Sequence, residues 1–60
     1  MNELQILFRF NELDKTITLA AALEAMGQVV FIRETLEEEG NEYDEDVLIK
    51  EALDYALTEL

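Results

Sequence analysis

Eight carboxylates lie within thirteen residues in the stretch ETLEEEGNEYDED, residues 34–46, and no Lys, Arg or His lies among them. Carboxylates at this density could act as general acids and bases, as oxygen ligands for a hard cation, or as an anionic surface for a basic partner. Because like charges repel one another, the run also raises the energy of the compact state. The rest of the chain decides among these roles.

The overall composition argues against catalysis. The chain contains no His, no Cys and no Ser, which removes the commonest general base and the usual nucleophiles. Paired carboxylates need a cleft that holds their pKa values apart, and sixty residues offer little material for one. The two glycines, Gly27 and Gly40, match no phosphate-binding loop. The sequence therefore predicts a protein that is not an enzyme and has no cofactor.

Among metal ions, calcium has the ligand preference that best fits the acidic run. Glu42, Asp44, Glu45 and Asp46 could supply hard oxygen ligands, but the stretch EEEGNEYDED does not have the spacing of an EF-hand loop. Without Cys or His, the chain also lacks the usual ligands for zinc, copper and iron–sulfur clusters. The sequence predicts no metal site.

The negative charge is concentrated in the C-terminal part of the chain. Of the net charge of −11, only −1 comes from residues 1–33, where four acids face three bases, and the remainder comes from eleven acids and Lys50. Such asymmetry favours an interaction surface. Direct binding to nucleic acid or to anionic lipid needs more Lys and Arg than the chain has. We therefore predict a basic partner, with Arg9 and Arg33 as counter-charges for nearby acids.

The predicted contact surface combines the central acids of the run with a tyrosine, whose ring and hydroxyl suit an interface. Its members are Glu37, Glu38, Glu39, Glu42, Tyr43, Asp44, Glu45 and Asp46.

A short acidic chain without Cys or His, whose carboxylates cluster over residues 34–59, resembles the phage-encoded DNA-mimic inhibitors, including some anti-CRISPR proteins. The resemblance implies an inhibitor that imitates the phosphate array and occupies a Lys- and Arg-lined nucleic-acid groove of a nuclease, effector complex or transcription protein. The alternative is a small homo-oligomeric interaction or adaptor module whose acids only keep it soluble. A net charge of −11 exceeds the magnitude of about 2 to 8 that suffices for solubility.

Length and composition also bear on assembly and location. Residues 1–60 are predicted to form one domain, which at this size buries only about 60% of its unfolded surface. With no disulfide and an apolar content of 50%, self-association into a homo-oligomer is expected. The absence of cysteine, of a signal peptide and of a membrane-spanning run predicts a cytoplasmic protein with no membrane contact.

The N-terminal segment has the period of a β-strand. In LQILFRF, residues 4–10, apolar and other side chains alternate, and the β-branched stretch KTITL, residues 15–19, follows a turn to complete a predicted hairpin. A helix that begins at Asp14 or Thr18 is the alternative for the second strand.

The middle of the chain permits two interpretations. A helix over LAAALEAMG, ending at Gly27, followed by a third strand over VVFI is the preferred one, and a single helix over residues 19–39 is the other.

A final amphipathic helix is predicted after Gly40, with Asp44 as its N-cap. Its apolar stripe consists of Ile49, Ala52, Leu53, Ala56 and Leu60. The predicted fold class is thus α+β, a small antiparallel sheet packed with one or two helices, in which Leu4, Ile6, Phe8 and Phe10 face the last helix. A mostly helical chain with one N-terminal strand is the alternative.

Overall fold

The computed structural model describes residues 1–59, which form three helices. They are α1 (Glu3–Leu13), α2 (Leu19–Glu38) and α3 (Glu45–Glu59), and the described part of the chain contains no strand. The predicted α+β fold with its antiparallel sheet is therefore wrong, and so is the alternative with an N-terminal strand. The single long helix after residue 19, the second interpretation of the middle segment, is correct.

The segment predicted to be the first strand forms helix α1 instead. Reciprocal hydrogen bonds between Asn2 and Gln5 cap the start of this helix. The Gln5 amide donates to Asn2 Oδ1 at 2.9 Å, and the Asn2 amide donates to Gln5 Oε1 at 2.9 Å, a capping box. On a helix the alternating apolar residues separate onto two faces. Ile6 and Phe10 are buried, whereas Leu4 and Phe8, predicted to share their face, are each 63% exposed.

The second predicted strand is a turn that leads into α2. The Asp14 side chain accepts hydrogen bonds from the Thr16 hydroxyl at 2.7 Å and from the Thr16 amide at 2.9 Å, and these bonds lower the pKa of Asp14. Thr18 Oγ1 then accepts from the Ala21 amide at 3.2 Å as the N-cap of α2. The alternative start at Thr18 is thus correct, and the hairpin does not exist.

Helix α2 passes through both features that were predicted to interrupt it. Gly27 and the VVFI segment lie inside the helix, and the glycine that ends it is Gly40, with φ at +74°. The Gly40 amide donates to the Glu37 carbonyl at 3.1 Å and the Asn41 amide to the Leu36 carbonyl at 2.9 Å, the two bonds of a Schellman motif. Burial of Val29 in the core outweighs the β-branched preference of this segment.

The core lies between the three helices, and α2 and α3 form its main pair. Its contacting cluster consists of Ile6 and Phe10 from α1, Ala22, Ala25 and Val29 from α2, and Ile49, Ala52, Leu53 and Ala56 from α3. Ala21 and Leu48 are also buried. The predicted C-terminal helix is thus present with its apolar stripe turned inward, and Leu60 lies outside the described residues. Four alanines in the core keep the volume between α2 and α3 small.

None of the helices in residues 1–59 combines the length and the apolar character that crossing a membrane requires.

Candidate functional site

The predicted contact residues gather at one end of the molecule, where α2 passes into α3. Glu37 and Glu38 are in the last turn of α2, Glu39 is its C-cap, and residues 40–44 connect it to Glu45 and Asp46 in the first turn of α3. We call residues 37–46 the acidic end, which contains seven carboxylates. The structure divides its carboxylates into two groups according to whether the fold uses them.

The fold brings cations to the acidic end from far along the chain. Arg9 Nη2 on α1 donates to Asp46 Oδ1 at 3.1 Å, while Nη1 of the same guanidinium lies 3.9 Å from Glu12. The Met1 amino group lies 3.1 Å from both carboxylate oxygens of Glu45. The prediction that Arg9 is a counter-charge for acids is confirmed, and these pairs join the N-terminal segment to the start of α3.

Arg33 has a different partner from the predicted one. Its Nη1 donates to the Met1 carbonyl oxygen at 2.7 Å, so this guanidinium fastens the N-terminal segment to α2.

Two further carboxylates are engaged within the acidic end itself. Asp44 Oδ1 accepts from the Asp46 amide at 2.9 Å, so the predicted N-cap of α3 is confirmed. Glu37 Oε2 accepts from the Tyr43 hydroxyl at 3.0 Å, which ties the connecting loop to the end of α2. We call the four engaged groups, Glu37, Asp44, Glu45 and Asp46, the inner carboxylates.

The other three, Glu38, Glu39 and Glu42, are the outer carboxylates. All three residues are exposed, and within residues 1–59 no Lys, Arg or amino group lies within 4.0 Å of their oxygens. Their one side-chain hydrogen bond in this region is a long one, 3.4 Å from Asn41 Nδ2 to Glu39. Glu38 and Glu39 also lie at the negative end of the α2 dipole, where a carboxylate is unfavourable. Glu38 and Glu39 therefore weaken the fold.

Tyr43 is half-buried, with its hydroxyl directed at Glu37. Its partial burial raises the pKa of the phenol, and the hydrogen bond to Glu37 and the negative charges of Glu37 and Glu45 raise it further, while Arg33 opposes them. Among the predicted contact residues, Tyr43 is thus occupied in holding the loop.

Glu37→Gln should lower the pKa of Tyr43 toward the ordinary value of about 10 without restoring it fully, because the partial burial remains. Ultraviolet titration in a Tyr55→Phe background, which leaves one tyrosine, measures this pKa directly. Since the folded-state pKa is raised, the stabilisation linked to the neutral phenol is present below about pH 10 and is lost as the pH rises through the folded-state value. An unchanged pKa in the Glu37→Gln variant would show that the negative charge of Glu37 does not act on the Tyr43 phenol.

Other chemistry finds little support in the described residues. No three Asp or Glu side chains among residues 1–58 converge so that they could hold a metal ion. A shallow groove of about 270 Å³ runs along α1, lined by Met1, Gln5, Phe8, Arg9 and Glu12. Its two charged side chains, Arg9 and Glu12, pair with each other at 3.9 Å. The acidic end is therefore best described as an anionic surface.

Comparison of the chain with protein-family models, with curated proteins and with solved structures found no match.

Proposed function

We propose that this protein is a non-catalytic acidic binding protein that occupies the basic nucleic-acid-binding groove of a partner protein in the cytoplasm. The outer carboxylates are its contact groups, and it acts as an inhibitor by steric competition with DNA or RNA. The proposal agrees with the DNA-mimic inhibitors that the composition resembles.

The observation that carries the proposal is the separation of inner from outer carboxylates. Four acids of the acidic end stabilise the fold through Arg9, Met1, Tyr43 and a helix cap. Glu38, Glu39 and Glu42 lie beside them and are exposed, and the dipole of α2 disfavours Glu38 and Glu39. A surface that needs only solubility has both signs of charge interspersed. Free carboxylates kept at a cost in stability support a role in binding.

Electrostatic attraction would determine over what distance and how fast such a surface binds its partner. The charge of the acidic end attracts a basic groove over about 8 Å, the Debye length at 0.15 M salt, and accelerates association at low salt. Carboxylates in the groove then exclude phosphates that would neutralise the same Lys and Arg side chains.

A displacement assay tests this mechanism. Purified basic nucleic-acid-binding proteins are loaded with fluorescein-labelled duplex DNA or single-stranded RNA, and anisotropy is followed as the chain is added. We expect at least one of them to release its nucleic acid at low salt. The triple variant Glu38→Gln, Glu39→Gln, Glu42→Gln should release none, and should melt at a higher temperature than the wild type because charge repulsion is relieved.

The matched control changes the same amount of charge elsewhere. Glu24, Glu51 and Asp54 are exposed and lie outside the acidic end, so Glu24→Gln, Glu51→Gln, Asp54→Asn also removes three negative charges. This variant should retain most of the displacement. Equal losses in both triple variants, no displacement by the wild type, or displacement that persists unchanged at about 0.5 M salt, where exposed charges are strongly screened, would each contradict the proposal.

A further inference from the structure

The outer face of α2 carries large apolar side chains in water. Leu19, Leu23, Gly27 and Phe31 are spaced four residues apart and all are exposed, with Leu19 at 71%, Leu23 at 45% and Phe31 at 68%. Residues at this spacing form an oblique ridge on a helix, each displaced by about 40° around the axis from the one before. We call these four residues the outer face of α2.

Helix α2 is apolar on both sides. Ala22, Ala25 and Val29 face the core, while the outer face has no covering element among residues 1–59. A helix that is apolar all round is normally buried all round. At 20 residues α2 is about 30 Å long, close to the 35 Å length of the molecule, so the outer face extends along most of one side.

The charges at the two ends of this face are complementary to those of a second copy turned through a half-circle, and Glu24 is the one acid of α2 between these ends. Glu34 and Glu38 lie at its C-terminal end, whereas the first turn of α2 contains no acid and is preceded by Lys15. The N-terminal end is also the positive end of the helix dipole. An antiparallel second copy brings the negative end of one helix to the positive end of the other, and a parallel copy would place like charges together.

We propose that the outer face of α2 is the contact surface of a two-fold symmetric, antiparallel homodimer of this chain. This inference is independent of the proposed function. With the two-fold axis beside Gly27, Leu23 of one copy faces Phe31 of the second copy, and Glu34 faces the N-terminal turn of the second copy near Ala20. The Glu38 residues of the two copies are then about 33 Å apart along the helices, far beyond the Debye length, so they do not repel each other across the dimer.

Gly27 fits this arrangement and has no role in the isolated chain. A Cβ added there would meet nothing within 4 Å. Glycine inside a helix lowers its stability relative to alanine, so the monomer alone would be better served by alanine. At the crossing point of two helices, the missing side chain lets the backbones approach. Gly27→Ala should therefore raise the melting temperature of the dissociated chain and weaken the dimer several-fold.

Two phenylalanines of similar exposure, Phe31 and Phe8, provide the test. Sedimentation velocity over a range of concentrations should show the wild type at twice its 6.9 kDa mass, with dissociation on dilution. Phe31→Asp should raise the dimer dissociation constant about 30-fold or more, as expected for a central interface anchor. Phe8→Asp alters a side chain that is 63% exposed on α1 and should leave the dimer intact. Circular dichroism checks that each variant is folded.

The orientation is tested with a label that leaves the four residues of the outer face unchanged. The sequence contains no cysteine, so Glu38→Cys accepts a single spin label, and pulsed electron resonance on the dimer should give a label separation of roughly 30 Å or more. A wild type that stays at 6.9 kDa at all concentrations would overturn the proposal. A dimer that survives Phe31→Asp, or labels close together as in a parallel pair, would also overturn it.

Discussion

Phe10→Ala should lower the free energy of unfolding by about 3–5 kcal/mol, which for a domain of sixty residues is enough to unfold most of the population. Phe10 is 0% exposed and belongs to the core cluster with Ile6 and Ile49, so its removal leaves a cavity that the three helices cannot easily close. Urea unfolding followed by circular dichroism at 222 nm measures the loss.

Phe8→Ala is the matched control, two residues away on the same helix. Because Phe8 is 63% exposed, its truncation should change the free energy of unfolding by about 0.5 kcal/mol or less. A β-strand over residues 4–10 would place both rings on one buried face and make the two losses similar. Similar losses would therefore contradict the packing of α1.

Ala25→Leu should cost about 1–3 kcal/mol through overpacking. Ala25 is 0% exposed on α2, in the core cluster that also contains Ala52 and Ala56 of α3. Added methyl groups at this position would push α2 away from α3, the main helix pair of the fold. The same urea titration measures the effect.

Ala20→Leu makes the same substitution at an exposed position in the first turn of α2. Alanine and leucine have similar helix propensities, so this variant should keep wild-type stability when measured at a dilution where the chain is monomeric. Full stability of Ala25→Leu would mean that α2 and α3 do not approach as closely as the structure has them.

The wrong prediction of a strand over residues 4–10 shows that a short apolar segment does not by itself distinguish a strand from a helix. LQILFRF satisfies the period of a strand, yet Ile6 and Phe10 are also spaced as neighbours on one side of a helix. The signal that separates the two readings was present in Asn2 and Gln5, whose spacing fits a capping box. A helix start could thus have been predicted from the residues before the apolar run.

The prediction that Gly27 ends the middle helix is wrong for a physical reason. A lone glycine inside a helical pattern is tolerated at a cost of about 1 kcal/mol, so Gly27 does not by itself end a helix. Gly40 ends α2 because its positive φ permits the Schellman bonds. Between them, β-branched residues join the helix because Val29 fills the core, and such tertiary packing is not visible in local sequence.

The residues that form the acidic end could be predicted from the sequence, but the partners of its carboxylates could not. The run of acids, the cap at Asp44 and the first turn of α3 follow from local residues. The contacts of Arg9 with Asp46 and of Met1 with Glu45 join positions 37 and 44 residues apart, so they depend on how three helices pack.

The division of the acidic end into inner and outer carboxylates is tested most directly by nucleic-acid displacement with two variants of equal charge. One is Glu38→Gln, Glu39→Gln, Glu42→Gln, and the other is Glu37→Gln, Glu45→Gln, Asp46→Asn. We predict that the outer variant loses displacement while gaining stability, and that the inner variant is less stable but still displaces nucleic acid at a temperature where it is folded. Loss of displacement in the folded inner variant together with its retention in the outer variant would contradict the assignment.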